Sequence, residues 1–207
     1  MLADRAAEAF GATHIVCNNA GVATVGPIWE HTLDDWRWVI DVNLWGVIHG
    51  VRTFVPRMLA QREGHIVNTA SVAGLTSSPL MGVYNVTKHG VVTLSETLTR
   101  ELEAAGSAVK VSVLCPGFVQ TRIMDSDRNR PEALAADADR PRQEDYAAVM
   151  EDAVREGLPP DAVAAQVVDA IRAERFYILT HPEYETAVRE RMEDVLEGRV
   201  RPMSMPT

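Results

Sequence analysis

Cysteine is nearly absent: Cys17 and Cys115 are the only two in 207 residues, too few for a disulfide scaffold. Both sit in apolar runs, Ile15-Val16-Cys17 and Val113-Leu114-Cys115, where a free thiol behaves as a small buried hydrophobe; a single bridge between them stays open as an alternative. Neither the cysteines nor the six histidines show the spacing of metal ligands. His65 and His89 read as packing or surface residues, and no metal is expected. No apolar run reaches the ~20 residues needed to span a membrane. Met1 is not followed by a basic region and an apolar stretch, so no secretory leader is read. A reducing cytoplasm and no membrane partner are the expectation. Positive charge is also short, with 20 Lys and Arg against 29 Asp and Glu, a net charge of -9. A nucleic-acid partner calls for a basic face and is not expected; Arg199-Val200-Arg201 reads as part of a solvated tail over 198–207.

What is present is an alternation of strand and helix. His14 to Cys17 is a short apolar strand. Thr32 can cap a helix, with Asp34 and Asp35 favouring its positive end. Apolar residues then recur at Leu33, Trp36, Ile40, Leu44, Val47, Val51, Phe54 and Met58, the steps of three and four that mark one long amphipathic helix. His65-Ile66-Val67 is a second strand, Tyr84 to Glu103 a helix, and Val109 to Leu114 a third strand closed by Cys115-Pro116-Gly117. Pro160 opens a helix at its first turn, Phe176 to Leu179 is a fourth strand, and Glu183 to Leu196 a last helix. Strands separated by helices predict an α/β fold with a parallel sheet and right-handed crossovers. Residues 1–197 read as one domain. Between Thr121 and Pro159 the periodicity fades, and a long irregular segment inside a compact domain is often a lid; 120–160 is read as a substrate lid. Its Met124, Leu134, Met150 and Leu158 hint at an apolar substrate.

Several polar features line up along this frame. Asn18-Asn19-Ala20-Gly21 follows the first strand. Asn43 lies on the apolar stripe of the long helix, where a polar amide is costly unless satisfied. Ser71 follows the second strand. Tyr84 and Lys88 are one helical turn apart and share a face. Read singly, each has a plain structural role: a strand cap, a strand end, a surface pair, a turn at Pro116-Gly117. Gly46 and Gly50 read as glycines that the helix tolerates. Read together they suit carbonyl chemistry, which needs a proton donor at the oxygen opposite a hydride donor. A free phenol titrates near 10, so a nearby ammonium that lowers it makes a better base.

Taken in order, these motifs resemble the classical short-chain dehydrogenase/reductase family. Asn-Asn-Ala-Gly, an Asn-Ser-Tyr-Lys tetrad with Ser71 thirteen residues before Tyr84, and the loop Pro116-Gly117-Phe118-Val119-Gln120-Thr121 all match, over about residues 5 to 182. The resemblance implies a Rossmann-like doubly wound parallel sheet and an oxidoreductase that interconverts an alcohol and a ketone or aldehyde. It implies Asn43, Ser71, Tyr84 and Lys88 as catalytic residues, with Tyr84 the general acid/base, Lys88 lowering its pKa, Ser71 orienting the substrate oxygen and Asn43 fixing a relay water. It implies an NAD or NADP site made by Asn18, Ala20, Gly21, Tyr84, Lys88, Pro116, Gly117, Val119 and Thr121. It also implies a homodimer or homotetramer assembled through helices Thr32–Leu59 and Tyr84–Glu103. Ala70 and Thr87 depart from the commoner serines without belonging to the tetrad. A larger departure is the missing Gly-rich phosphate loop, which the family places at its first helix N-terminus. The expectation is a sheet lacking the family's first βαβαβ half, with weak cofactor binding by the chain alone. A catalytically inactive remnant acting as a binding or assembly module is the alternative.

Overall fold

The computed structural model describes residues 2–135 and 143–202. Four parallel strands lie in the order β1-β2-β3-β4: Ile15–Asn18, His65–Thr69, Lys110–Leu114 and Tyr177–Ile178. Around them run α1 (Leu2–Phe10), α2 (Leu33–Ile40), α3 (Gly46–Gln61), α4 (Gly82–Ala104), α5 (Glu144–Glu156), α6 (Pro160–Arg172) and α7 (Glu185–Glu197).

Side chains alternate across a strand, and here the alternation serves two helical layers. Ile66 and Val111 pack with Val55 and Met58 of α3 and Leu98 and Leu102 of α4. Val67, Leu114 and Ile178 face the other way, onto Val163 and Ala170 of α6. The predicted parallel sheet with helices on both faces is therefore observed. β1 is half-wet by comparison: Ile15 is 52% exposed, and Cys17 is exposed while Cys115 is buried, both as free thiols. Only Cys115 fits the expectation of burial, because β1 has a neighbour on one side alone among the described residues.

Thr32 caps α2 as expected. Its hydroxyl accepts from Asp35 N at 3.1 Å and its own N–H donates to the Asp35 carboxylate at 2.9 Å, a reciprocal capping box. The single long helix predicted from the apolar stripe is instead interrupted by a π-turn at Asp41–Trp45. The π-turn holds Asn43, and such turns are frequent at functional sites.

Two further expectations change. The segment after Thr121 is not wholly irregular: it contains 3-10 turns at Ile123–Asn129 and Glu132–Leu134, and then α5. The C-terminal arginines are not solvated freely. Gly198 takes φ 68°, ending α7 in the left-handed conformation that suits glycine, and this turns the chain back. Arg199 Nε, Arg201 Nε and the Arg201 N–H then all donate to the buried Asp194 carboxylate. The remainder of the expected tail, 203–207, lies outside the described residues.

Candidate active site

Parallel strands all end on the same side of a sheet, and loops leaving those ends converge there. Asn18 ends β1, Ser71 follows β2, Pro116–Thr121 follows β3, and the first turns of α4 bring Tyr84 and Lys88 beneath them. Lys88 is 2% exposed and its Nζ donates to Thr69 O at 2.9 Å. The same Nζ lies 5.4 Å from the centroid of the Tyr84 ring. Ser71 Oγ accepts from Ala73 N at 3.1 Å and donates to Pro116 O at 3.3 Å, which ties the post-β2 turn to the post-β3 loop. All four tetrad residues come together.

Asn43 is fully buried, and its amide is matched at both ends. Oδ1 accepts from Val22 N at 2.8 Å, and Nδ2 donates to Val22 O at 2.9 Å and to Thr87 Oγ1 at 3.2 Å. The cost of a polar group on the apolar stripe is thereby met. Its side chain fixes the loop after Asn-Asn-Ala-Gly. Thr87, set apart from the tetrad in the sequence, is bonded into it: its hydroxyl accepts from Asn43 and donates to Tyr84 O at 2.8 Å.

Burial pushes the Tyr84 phenol up to about 12, and the hydroxyl of Ser71 beside it pulls the other way. Burial lowers Lys88 to about 8. The Lys88 ammonium is turned to Thr69 O. Cys115, just below, is held up to about 12 chiefly by burial and is a neutral thiol at ordinary pH.

The expected cofactor contacts divide into two sets. Gly21 borders the tetrad: a Cβ there would stand 3.6 Å from Lys88 Nζ and 3.7 Å from Asn43 Oδ1. Ala20 and Thr121 are exposed at the strand ends, and Pro116, Gly117 and Val119 are partly buried beside them. Asn18 differs, because its side chain turns inward. Its Nδ2 donates to Asn68 Oδ1 at 2.8 Å, and Asn68 Nδ2 donates in turn to Ser95 Oγ at 2.9 Å. Gly50 makes room for it: a Cβ at that position would lie 2.0 Å from Asn18 Oδ1. Gly50 is thus a close-approach site that the sequence reading passed over as helix tolerance; its i, i+4 spacing from Gly46 was the available signal.

Next to the post-β3 loop opens a cleft of about 590 Å3 lined by Thr121, Arg122, Met124, Asp125, Glu151 and Arg155, a size suited to a small ligand. Of the four apolar residues expected to face a substrate, only Met124 lines it. Leu134 packs on the Val22–Trp38 cluster and Leu158 on the α6 cluster. The segment is pinned by a buried ion pair, Arg130 to Asp35 at 2.7 Å, with the guanidinium 4.9 Å from the Trp38 ring centroid. Ser126 Oγ adds an anchor by accepting from Ala23 N at 3.1 Å.

The family model described as short chain dehydrogenase matches residues 1–132. The chain belongs to the short-chain dehydrogenase/reductase family. Membership agrees with the doubly wound sheet and with the motif order above. A short-chain dehydrogenase/reductase from Burkholderia phymatum, solved in complex with NAD, shares 51% identity at a TM-score of 0.95, covering 99% of this chain and 74% of that one. The CLA biosynthesis dehydrogenase/reductase of Lactiplantibacillus plantarum is 34% identical over 93% of this chain and 69% of its own length. The C alpha-dehydrogenase of a Sphingobium strain is 34% identical over 97% and 65%. The chain therefore spans about two thirds of the length of these curated relatives. No helix among the described residues is long and apolar enough to cross a membrane.

Proposed function

We propose that this protein is a cytoplasmic oxidoreductase that interconverts an alcohol and a ketone or aldehyde using NAD or NADP, with Tyr84 as general acid/base. The observation that carries the reading is a neutral phenol beside a serine hydroxyl, over a buried lysine, where three strand ends and a helix start meet. The residues suit the nicotinamide end of the cofactor: Gly21 lies within contact distance of Lys88 and Asn43, and the Pro116–Phe118 loop is bonded to Ser71 beside Tyr84. When bound, the cofactor supplies or accepts a hydride at carbon. Ser71 holds the substrate oxygen near Tyr84, which delivers its proton in reduction and takes one in oxidation. Lys88 carries the donor that reaches the cofactor ribose and, when charged, favours the phenolate. Asn43 and Thr87 hold both in register. The segment 120–160 acts as the substrate lid.

Tyr84→Phe in the enzyme tests this. The ring keeps its packing and loses the proton carrier, so the loss falls on the transition state. We expect kcat to fall ~10²–10⁴-fold, about 3–5 kcal/mol, with cofactor affinity unchanged. More than about a tenth of wild-type kcat remaining would leave under ~1.4 kcal/mol on the hydroxyl and reject the assignment. Subunit contact through Thr32–Leu59 and Tyr84–Glu103 is supported by the exposure of Leu33, Trp45, Leu59 and Val86 there; a monomer in sedimentation equilibrium would reject it.

A further inference from the structure

His181 is a buried imidazole that the proposed chemistry does not use; it is 7% exposed. The sheet explains where it sits. β3 and β4 pair in parallel with Leu114 opposite Ile178, and the same register carried three residues further sets Gly117 opposite His181. The residue before a proline is held extended, and His181, before Pro182, has φ -131° and ψ 88°. Its ring then spans two successive peptide units of the post-β3 loop. Nδ1 accepts from Gly117 N at 3.0 Å and Nε2 donates to Phe118 O at 2.9 Å. The Thr180 hydroxyl lies 2.7 Å from Nδ1.

The bonding requires one form of the ring. An imidazole that donates at Nε2 and accepts at Nδ1 is neutral, with its proton on Nε2. The loop, in turn, is built to receive it. A Cβ at Gly117 would stand 2.9 Å from His181 Cγ and 2.8 Å from Tyr184 Cε2, so only glycine lets the two rings lie against the backbone. On its far side the same loop is bonded to the tetrad, since Pro116 O accepts from Ser71 Oγ and, at 2.9 Å, from Val72 N.

We propose that His181 is a positioning residue that holds the Pro116–Phe118 loop against Ser71 and thereby sets the nicotinamide-side wall of the site. The clamp itself follows from the geometry above; its bearing on the cofactor rests on the oxidoreductase reading. Two directed hydrogen bonds from one ring to adjacent peptide groups fix the loop in position and in rotation, which packing alone would not do.

Hydrogen exchange at individual amides decides the matter without any cofactor. Gly117 N–H should be protected in the wild-type chain. His181→Phe keeps an aromatic ring but strands that N–H, and its exchange should accelerate about tenfold or more, while Ile66 and Val113 in the central strands stay unchanged. His181→Gln offers an acceptor and a donor on one planar amide and should restore most of the protection. Equal exchange in wild type and His181→Phe would overturn the proposal. So would His181→Gln behaving like His181→Phe, or the central strands loosening together with Gly117, since His181 would then be a packing residue. In turnover, His181→Phe should lower kcat at saturating cofactor about tenfold, with recovery in His181→Gln. The exchange comparison needs neither cofactor nor turnover, so it decides His181 whether or not the oxidoreductase reading holds.

Discussion

The tetrad and the segment proposed as a lid meet at the Pro116–Thr121 loop but are secured by different means. Tyr84, Lys88 and Ser71 stand on a helix and on turns continuous with fully paired strands. Each is bonded to main chain or to a neighbour that is itself bonded: Lys88 to Thr69 O, Asn43 to Val22, Thr87 to Tyr84 O. Among the described residues, 122–135 and 143–156 take no place in the ladder of the sheet; beside them Val119 bridges Leu158. The segment's described residues are held by individual contacts that include Arg130 on Asp35, Ser126 on Ala23 and Tyr146 on Pro79 O. Proton transfer tolerates little misplacement, whereas a surface that admits and releases substrate must open at low cost. The two modes of attachment match those two demands.

Lys88→Met is the strongest test of the rigid side. Losing the ammonium should cut kcat at least as far as Tyr84→Phe, ~10²-fold or more. Unlike Tyr84→Phe it should also weaken cofactor binding, which titration by fluorescence would show. An unchanged affinity would remove Lys88 from the cofactor site.

The lid side is tested by Arg130→Met. Removing one partner of a buried ion pair is costly, at about 3–5 kcal/mol. If the anchor is local, that cost appears as faster exchange over 122–134 and a higher substrate KM, with kcat within a few-fold of wild type. A collapse of kcat would mean that the tetrad depends on the lid and would erase the distinction drawn here.

Lys88 also makes the rigid side costly to fold. Its pKa is about 8 in the folded protein against 10.5 for the free side chain. Between those values the unfolded chain binds more protons than the native one, so stability rises with pH through that window and is least below pH 8. Lys88→Met should therefore melt above wild type at pH 7, by the equivalent of about 3 kcal/mol, and the gap should close toward pH 10.5. A gap independent of pH would show that the buried ammonium is not its source.

The smallest effect is expected from Gly50→Ala. The added methyl meets Asn18 Oδ1 and must push α3 from β1, at about 1–3 kcal/mol of overpacking. Thermal melts should show the loss. No loss would mean that Asn18 can turn outward, toward the cofactor side originally expected of it.

The family motifs, the parallel sheet and the tetrad were legible in the residues alone, because strand and helix periods and the spacing of Tyr84, Lys88 and Ser71 are local properties of the chain. The α2–α3 stripe was legible too, but not its break: a π-turn shifts the register by a single residue, and the apolar steps at Ile40, Leu44 and Val47 accommodate it. Long-range partners were beyond sequence pattern. Thr87 looked like a neutral departure until folding put Asn43 44 residues away within reach of its hydroxyl. Arg130 looked like one charge among many in an irregular stretch until it met Asp35, which a capping box had already placed at the head of α2. His181 carried no motif and was set against Gly117 by strand register. The sequence by itself determined the main strands and helices and which residues stand as candidates for the chemistry. The tertiary structure decided which polar atoms satisfy one another, because a buried donor takes whichever acceptor packing brings near it, and in this chain those acceptors lie tens of residues away.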